Sequence, residues 1–167
     1  MLNGTEYLAL LKKRLAHYYD EKPLPATPEF VLLAELNAAD EGYFIVPNLK
    51  TYSVQHNEYL YVQRFTEPLT LEMLEPYLAY TKKAMQELKT TTEHMSSLFS
   101  LACICEAGID AEALAKLVKL RQHKDYCFTL KGWSDLALFL VDIPAQQVHH
   151  NKAGAKTAEL FKIPLSE

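Results

Sequence analysis

The chain has 167 residues, enough for one core that needs no staples. Its 49% hydrophobic and 23% charged residues are the balance of a folded globular protein rather than a disordered one. The formal net charge of −4 argues against a general nucleic-acid binder or a coat for anionic membranes, because both rest on an excess of Lys and Arg. No run approaches the roughly 20 apolar residues that span a bilayer. Lys12, Lys13 and Arg14 break up the apolar positions near the start as a signal peptide would not allow. The expectation is a cytoplasmic protein with no membrane partner.

In chain order, Asn3 and Glu6 have the spacing of a capping box that opens a helix running to about Tyr19. Leu8, Leu11, Leu15 and Tyr18 recur at helical spacing as its buried stripe. Three prolines between Lys22 and Pro28 rule out a helix interior and mark a linker. Phe30 to Leu36 reads as the first strand, with a helix over Leu32 to Leu36 as the alternative, and Tyr43 to Val46 as a second. Lys50 to Gln55 and Glu58 to Phe65 read as hairpin arms about His56-Asn57. In the second arm Tyr59, Tyr61, Gln63 and Phe65 alternate with Leu60, Val62 and Arg64. One face is therefore aromatic, which suits sheet packing or a stacking platform.

Thr70 caps the next helical region, where Pro76 predicts a kink or a short turn before a main helix to Lys89. Leu98 to Cys105 is the least polar run and the expected central strand. Cys103 and Cys105 share one of its faces as small buried hydrophobes. Asp110 caps a helix to Arg121 with Ala111, Leu114, Leu117 and Val118 inward. Tyr126 to Leu130 and Trp133 to Ile143 read as a hairpin turned at Lys131-Gly132. The longer arm is apolar on both faces, as inside a sheet. Val148 to Asn151 pairs briefly, and a short helix over Ala155 to Phe161 closes the chain. The whole is expected to be a single α+β domain with a mixed, mainly antiparallel sheet.

Familiar catalytic signatures are missing. The sequence has no glycine-rich phosphate loop, no G-x-S-x-G elbow and no H-E-x-x-H. With Cys127 alone to add to Cys103 and Cys105, the zinc-ligand spacings also fail, and no metal or cofactor is expected. Two polar clusters remain as ligand-binding candidates. Glu93 and His94 lie at the entry to the central strand, where a carboxylate and an imidazole suit acid–base work or an anion. Lys131, Trp133 and Asp135 place the single Trp beside a charge pair at a turn.

The element order, a helix followed by strands, a helix, a strand and a helix, resembles the core of the restriction-endonuclease-like family. That resemblance covers roughly Thr5 to Val118 and implies an Asp on the second strand and a D/E-x-K on the third. Asp40 and Glu58 fall at the acidic positions, and with a divalent metal they would serve a phosphodiesterase. Leu60 stands where the lysine belongs, so Lys82 or Lys83 would have to replace it. The E-H-M-S-S stretch and the K-G-W-x-D-x-x-L-x-L-V-D run also resemble a bacterial family of unknown function. The resulting expectation is a non-catalytic binding or protein-interaction domain, able to form a homodimer through a strand edge or an aromatic face. The alternatives are the metal-dependent phosphodiesterase and a small-molecule site near His94.

Overall fold

The computed structural model describes residues 1–38, 55–88, 94–126 and 132–165, with the backbone alone at 37, 38, 55, 56, 94 and 95. Among them, seven strands and three α-helices build one α+β domain around a single mixed sheet.

The capping box forms as its spacing demands. Asn3 Oδ1 accepts from the Glu6 N–H and the Glu6 carboxylate accepts from the Asn3 N–H, each at 2.9 Å. Such a cap is worth about 1 kcal/mol and starts α1, Gly4–Leu15. The helix ends earlier than expected. The Tyr18 and Tyr19 N–H groups both bond the Leu15 carbonyl, closing the last turn. Tyr18 is consequently 44% exposed, and the buried stripe is Gly4, Tyr7, Leu11 and Leu15.

Strand β1, Asp20–Glu21, lies on the edge beside β2, Leu32–Ala38. The next described strand, β3, spans Gln55–Phe65, with a register shift against its neighbour between Gln55 and His56. His56 and Asn57 pair with Ala38 and Asn37, so they extend a strand and are no hairpin turn. The alternation beginning at Glu58 simply continues two residues further back. The second expected strand, 43–46, and nearly all of the other hairpin arm lie outside the described residues.

Helix α2, Leu71–Glu87, continues through Pro76, so the short turn expected before it is part of the one helix. Pro76 and Glu72 are both on the exposed side. Water can therefore satisfy the Glu72 carbonyl that loses its N–H partner, and the helix does not break there. Strand β4, His94–Cys105, pairs parallel with β3 on one side and with β6, Trp133–Asp142, on the other. Its central position agrees with its apolar run. The parallel crossovers are supplied by α2 and by α3, Ala111–Leu117. The latter is shorter than its sequence suggests and buries Ala113 and Leu117 rather than Ala111.

On the far side of β6 two short strands share one edge. The three residues of β5, His123–Asp125, pair with the start of β6, and β7, Gln147–His150, pairs with its end. The expected hairpin thus pairs through 123–125, upstream of the proposed arm, while residues 127–131 lie outside the description. Asn151 fills the gap between the two strands. Its Oδ1 accepts from the Leu138 N–H at 2.9 Å, and its Nδ2 donates to the carbonyls of Leu136 at 2.8 Å and Leu120 at 3.0 Å. One side chain takes the place of a missing stretch of strand.

Each face of the sheet has its own core. Tyr7, Leu11 and Leu15 of α1, with Leu160 and Phe161 from the 3-10 turn Ala158–Phe161, cover Leu60, Val62, Ile104, Phe139 and Val141. The other face carries Tyr61, Phe65, Leu101, Cys103, Cys105 and Leu138 beneath α2 and α3. Four of the six strand pairings are antiparallel, and the two parallel ones flank β4 at the centre.

Candidate functional site

Strands β3, β4 and β6 run parallel, so their starts lie at one end of the sheet. Most of the residues singled out in the sequence gather there. His94 opens β4, Trp133 opens β6 opposite Ser96, and Glu58 and Asp135 both pair with Leu98 from its two sides. Asp40, Glu93 and Lys131 lie outside the described residues.

Proximity in topology does not make these groups one site. Glu58 and Asp135 sit two strands apart, which is about 10 Å and beyond the reach of a single metal ion. Each carboxylate has its own partner. Glu58 is only 5% exposed and accepts a short hydrogen bond from the Tyr19 hydroxyl. Burial, reinforced by that carboxylate, drives the Tyr19 phenol well above its ordinary pKa. Asp135 binds His123 Nδ1 at 2.6 Å, and Asp125 binds the same ring through Nε2 at 2.9 Å. The two carboxylates hold the imidazole's pKa above its usual 6.5, Asp135 more than Asp125. Trp133 is 37% exposed beside them. Among the described residues no group of three or more His, Cys, Asp and Glu is arranged to hold a metal.

A concave site lies elsewhere, on the face covered by α2 and near the β1 edge. It is a pocket of about 310 Å³, walled by Lys22, Leu33, Glu35, Tyr59, Tyr61 and Tyr80. The size is at the lower end of the range for small-ligand sites. Strand alternation builds its floor. Leu33 and Glu35 project from β2 directly opposite Tyr61 and Tyr59 of β3. Tyr80 comes down from α2, its ring 5.8 Å from that of Tyr61 and nearly perpendicular at 77°. Phe30 braces both rings, at 5.7 Å from Tyr61 and 5.3 Å from Tyr80. Tyr59 is fixed by stacking on Phe99 at 4.6 Å.

Electrostatically the pocket centres on Glu35. Its ion-pair partner is Lys22, 4.0 Å away, and both side chains are more than a third exposed. Burial raises the pKa values of Tyr59 and Tyr61, and the Glu35 charge raises both further. The phenols therefore stay neutral donors near pH 7. Along the same face of β3, Asn57 is 8% exposed and its Oδ1 has no hydrogen-bond partner among the described residues.

The aromatic alternation of β3 was legible in the sequence, but Lys22, Glu35 and Tyr80 were missed as its companions. A lone acid inside Leu32-Leu33-Ala34-Glu35-Leu36 was the available signal. Tyr80 had no signal, because which helix face meets which strand is a tertiary fact.

Fold and pocket together define a single α+β domain with a small aromatic ligand-sized cleft at one sheet edge. The family model described as Domain of unknown function (DUF8052) matches residues 3–163, and the chain belongs to that family. No curated protein and no solved structure gives a significant match. No helix among the described residues is long and apolar enough to cross a membrane.

Proposed function

We propose that this protein is a non-catalytic binding domain of the cytoplasm whose ligand site is the tyrosine-walled pocket beside β1. The observation that carries this reading is the pocket itself: rigid aromatic walls, each ring held by a second aromatic, around one weakly paired carboxylate. Rigid walls lower the entropic cost of binding, and a few placed polar groups orient the ligand. The cytoplasmic assignment draws on Cys103 and Cys105, free thiols buried beneath α2 and α3, whose pKa values burial raises.

The phosphodiesterase reading has less support. Glu58 lies on the opposite face from the pocket, closed in by Tyr19. Leu60, where D/E-x-K has its lysine, is 2% exposed within the core under α1.

A thermal-shift screen against small amines, sugars, nucleosides and carboxylates tests the proposal. A ligand at about a hundred times its Kd adds ~2.7 kcal/mol, or roughly 5–10 °C for a chain of this size. The expected result is one stabilising class whose effect disappears in Tyr80→Ala. Metal-dependent cleavage of a phosphodiester that is lost in Glu58→Ala would overturn it.

A further inference from the structure

Resting on the reading of the pocket as a ligand site, we infer that it takes a cationic ammonium group, held by Glu35 between the rings of Tyr59, Tyr61 and Tyr80, in competition with the protein's own Lys22.

Three features of the pocket ask for positive charge. The aromatic faces present negative quadrupoles, which attract ammonium groups most strongly when these are weakly hydrated. Tyr61 and Tyr80 pack edge to face and both line the pocket, so one compact group there lies beside two rings. Glu35 lies directly across from Tyr59, on the same sheet face, and supplies the anionic wall. The unmet acceptor of Asn57, two residues along that face, adds to the local excess of negative character. About 310 Å³ leaves room for a trimethylammonium head and a short tail.

Lys22 already shows the preference. Its ammonium approaches Glu35, but at 4.0 Å it stands at the outer limit of an ion pair, with its side chain 41% exposed. Exposed pairs of this kind contribute little and break readily. The strand does not depend on the side chain, because Lys22 is anchored by its backbone N–H, which donates to the Leu33 carbonyl at 2.8 Å. Lys22 can thus swing away without loss of structure. A ligand ammonium that arrives with less hydration takes its place beside Glu35.

Titration of the folded chain followed by tyrosine-ring NMR tests this, using choline, its uncharged isostere 3,3-dimethylbutan-1-ol, and inorganic phosphate as probes. Choline is expected to shift the Tyr59, Tyr61 and Tyr80 rings and to bind about tenfold more tightly than the isostere. Glu35→Gln should weaken choline by about tenfold, and Lys22→Met should tighten it several-fold. That tightening is a result a merely structural lysine would not give. Equal affinity for choline and the isostere, phosphate binding that needs Lys22, or a Lys22→Met variant that binds choline no better would each overturn the ammonium inference while leaving the pocket a ligand site. Rings that stay unmoved with every probe, and with every compound of the thermal-shift screen, would overturn both.

Discussion

The two faces of the sheet handle their carboxylates in opposite ways. Under α1, Glu106 accepts from Arg64 at 3.0 Å through both oxygens and from the Gly4 N–H at 3.0 Å. That carboxylate sits at the helix N-terminus, where the macrodipole favours it. A Cβ at Gly4 would lie 2.3 Å from the Glu106 Cδ, so glycine leaves the room this carboxylate occupies. At the other end of the same face Glu58 is closed in by Tyr19. Under α2, by contrast, Glu35 has among the described residues the loose Lys22 pair and three phenols around it. A carboxylate satisfied from within holds a fold together, and one left half-satisfied inside an aromatic cleft is available to a ligand. The α1 face is the closed side of this molecule and the α2 face near β1 is the open one.

The sharpest way to break that comparison is on the closed side. Phe139 is fully buried, stacks on Phe161 at 4.1 Å, and lies against Gly154. Phe139→Ala should cost about 3–5 kcal/mol in urea unfolding. A loss under ~1 kcal/mol would mean that this face is not the packed one. Asn151→Ala comes next. It strips the Leu138 N–H and the Leu136 carbonyl of their partners where neither β5 nor β7 reaches β6. Each unmet buried group costs about 1–3 kcal/mol, so a loss of ~2–4 kcal/mol is expected from the unfolding midpoint. Amide exchange should speed up first at Leu138.

Smaller effects belong to the exposed pairs. His123 titrates above 6.5 when folded because Asp135 and Asp125 favour its charged form. The folded chain therefore keeps that proton to a higher pH than the unfolded chain. The pairing's contribution is complete below pH 6.5 and is lost as pH rises through the raised folded value. An NMR titration should show protection of the β5 amides falling over that window, and His123→Gln should abolish the dependence. Smallest of all, Glu35→Gln should change stability by less than about 0.5 kcal/mol. Its effect belongs to binding, which is what distinguishes the open side from the closed one.

How far the sequence carried these conclusions follows from the range of each interaction. The Asn3–Glu6 box, the Thr70 and Asp110 caps and the apolar core of β4 are local or strongly patterned, and all form as read. The separate turn expected before Pro76 does not form, because a helix continues through proline where water can reach the orphaned carbonyl, and exposure is not local information. His56-Asn57 misled because a polar pair inside a long strand has the composition of a turn. The Glu58 and Asp135 candidates both fall near one end of the sheet, where strand register keeps them two strands apart. The pocket needed the pairing of Glu35 with Tyr59 and the descent of Tyr80 from α2. Both are long-range facts that no short window contains.

Most direct for the central claim is mapping by tyrosine-ring NMR of whichever compound stabilises the chain in the thermal-shift screen. The account predicts that the resonances of Tyr59, Tyr61 and Tyr80 move together along one binding curve while Tyr7 and Tyr19, on the closed side, stay still. Shifts centred on Tyr19, or on Trp133 and His123 at the strand starts, with the three pocket rings unmoved, would contradict it.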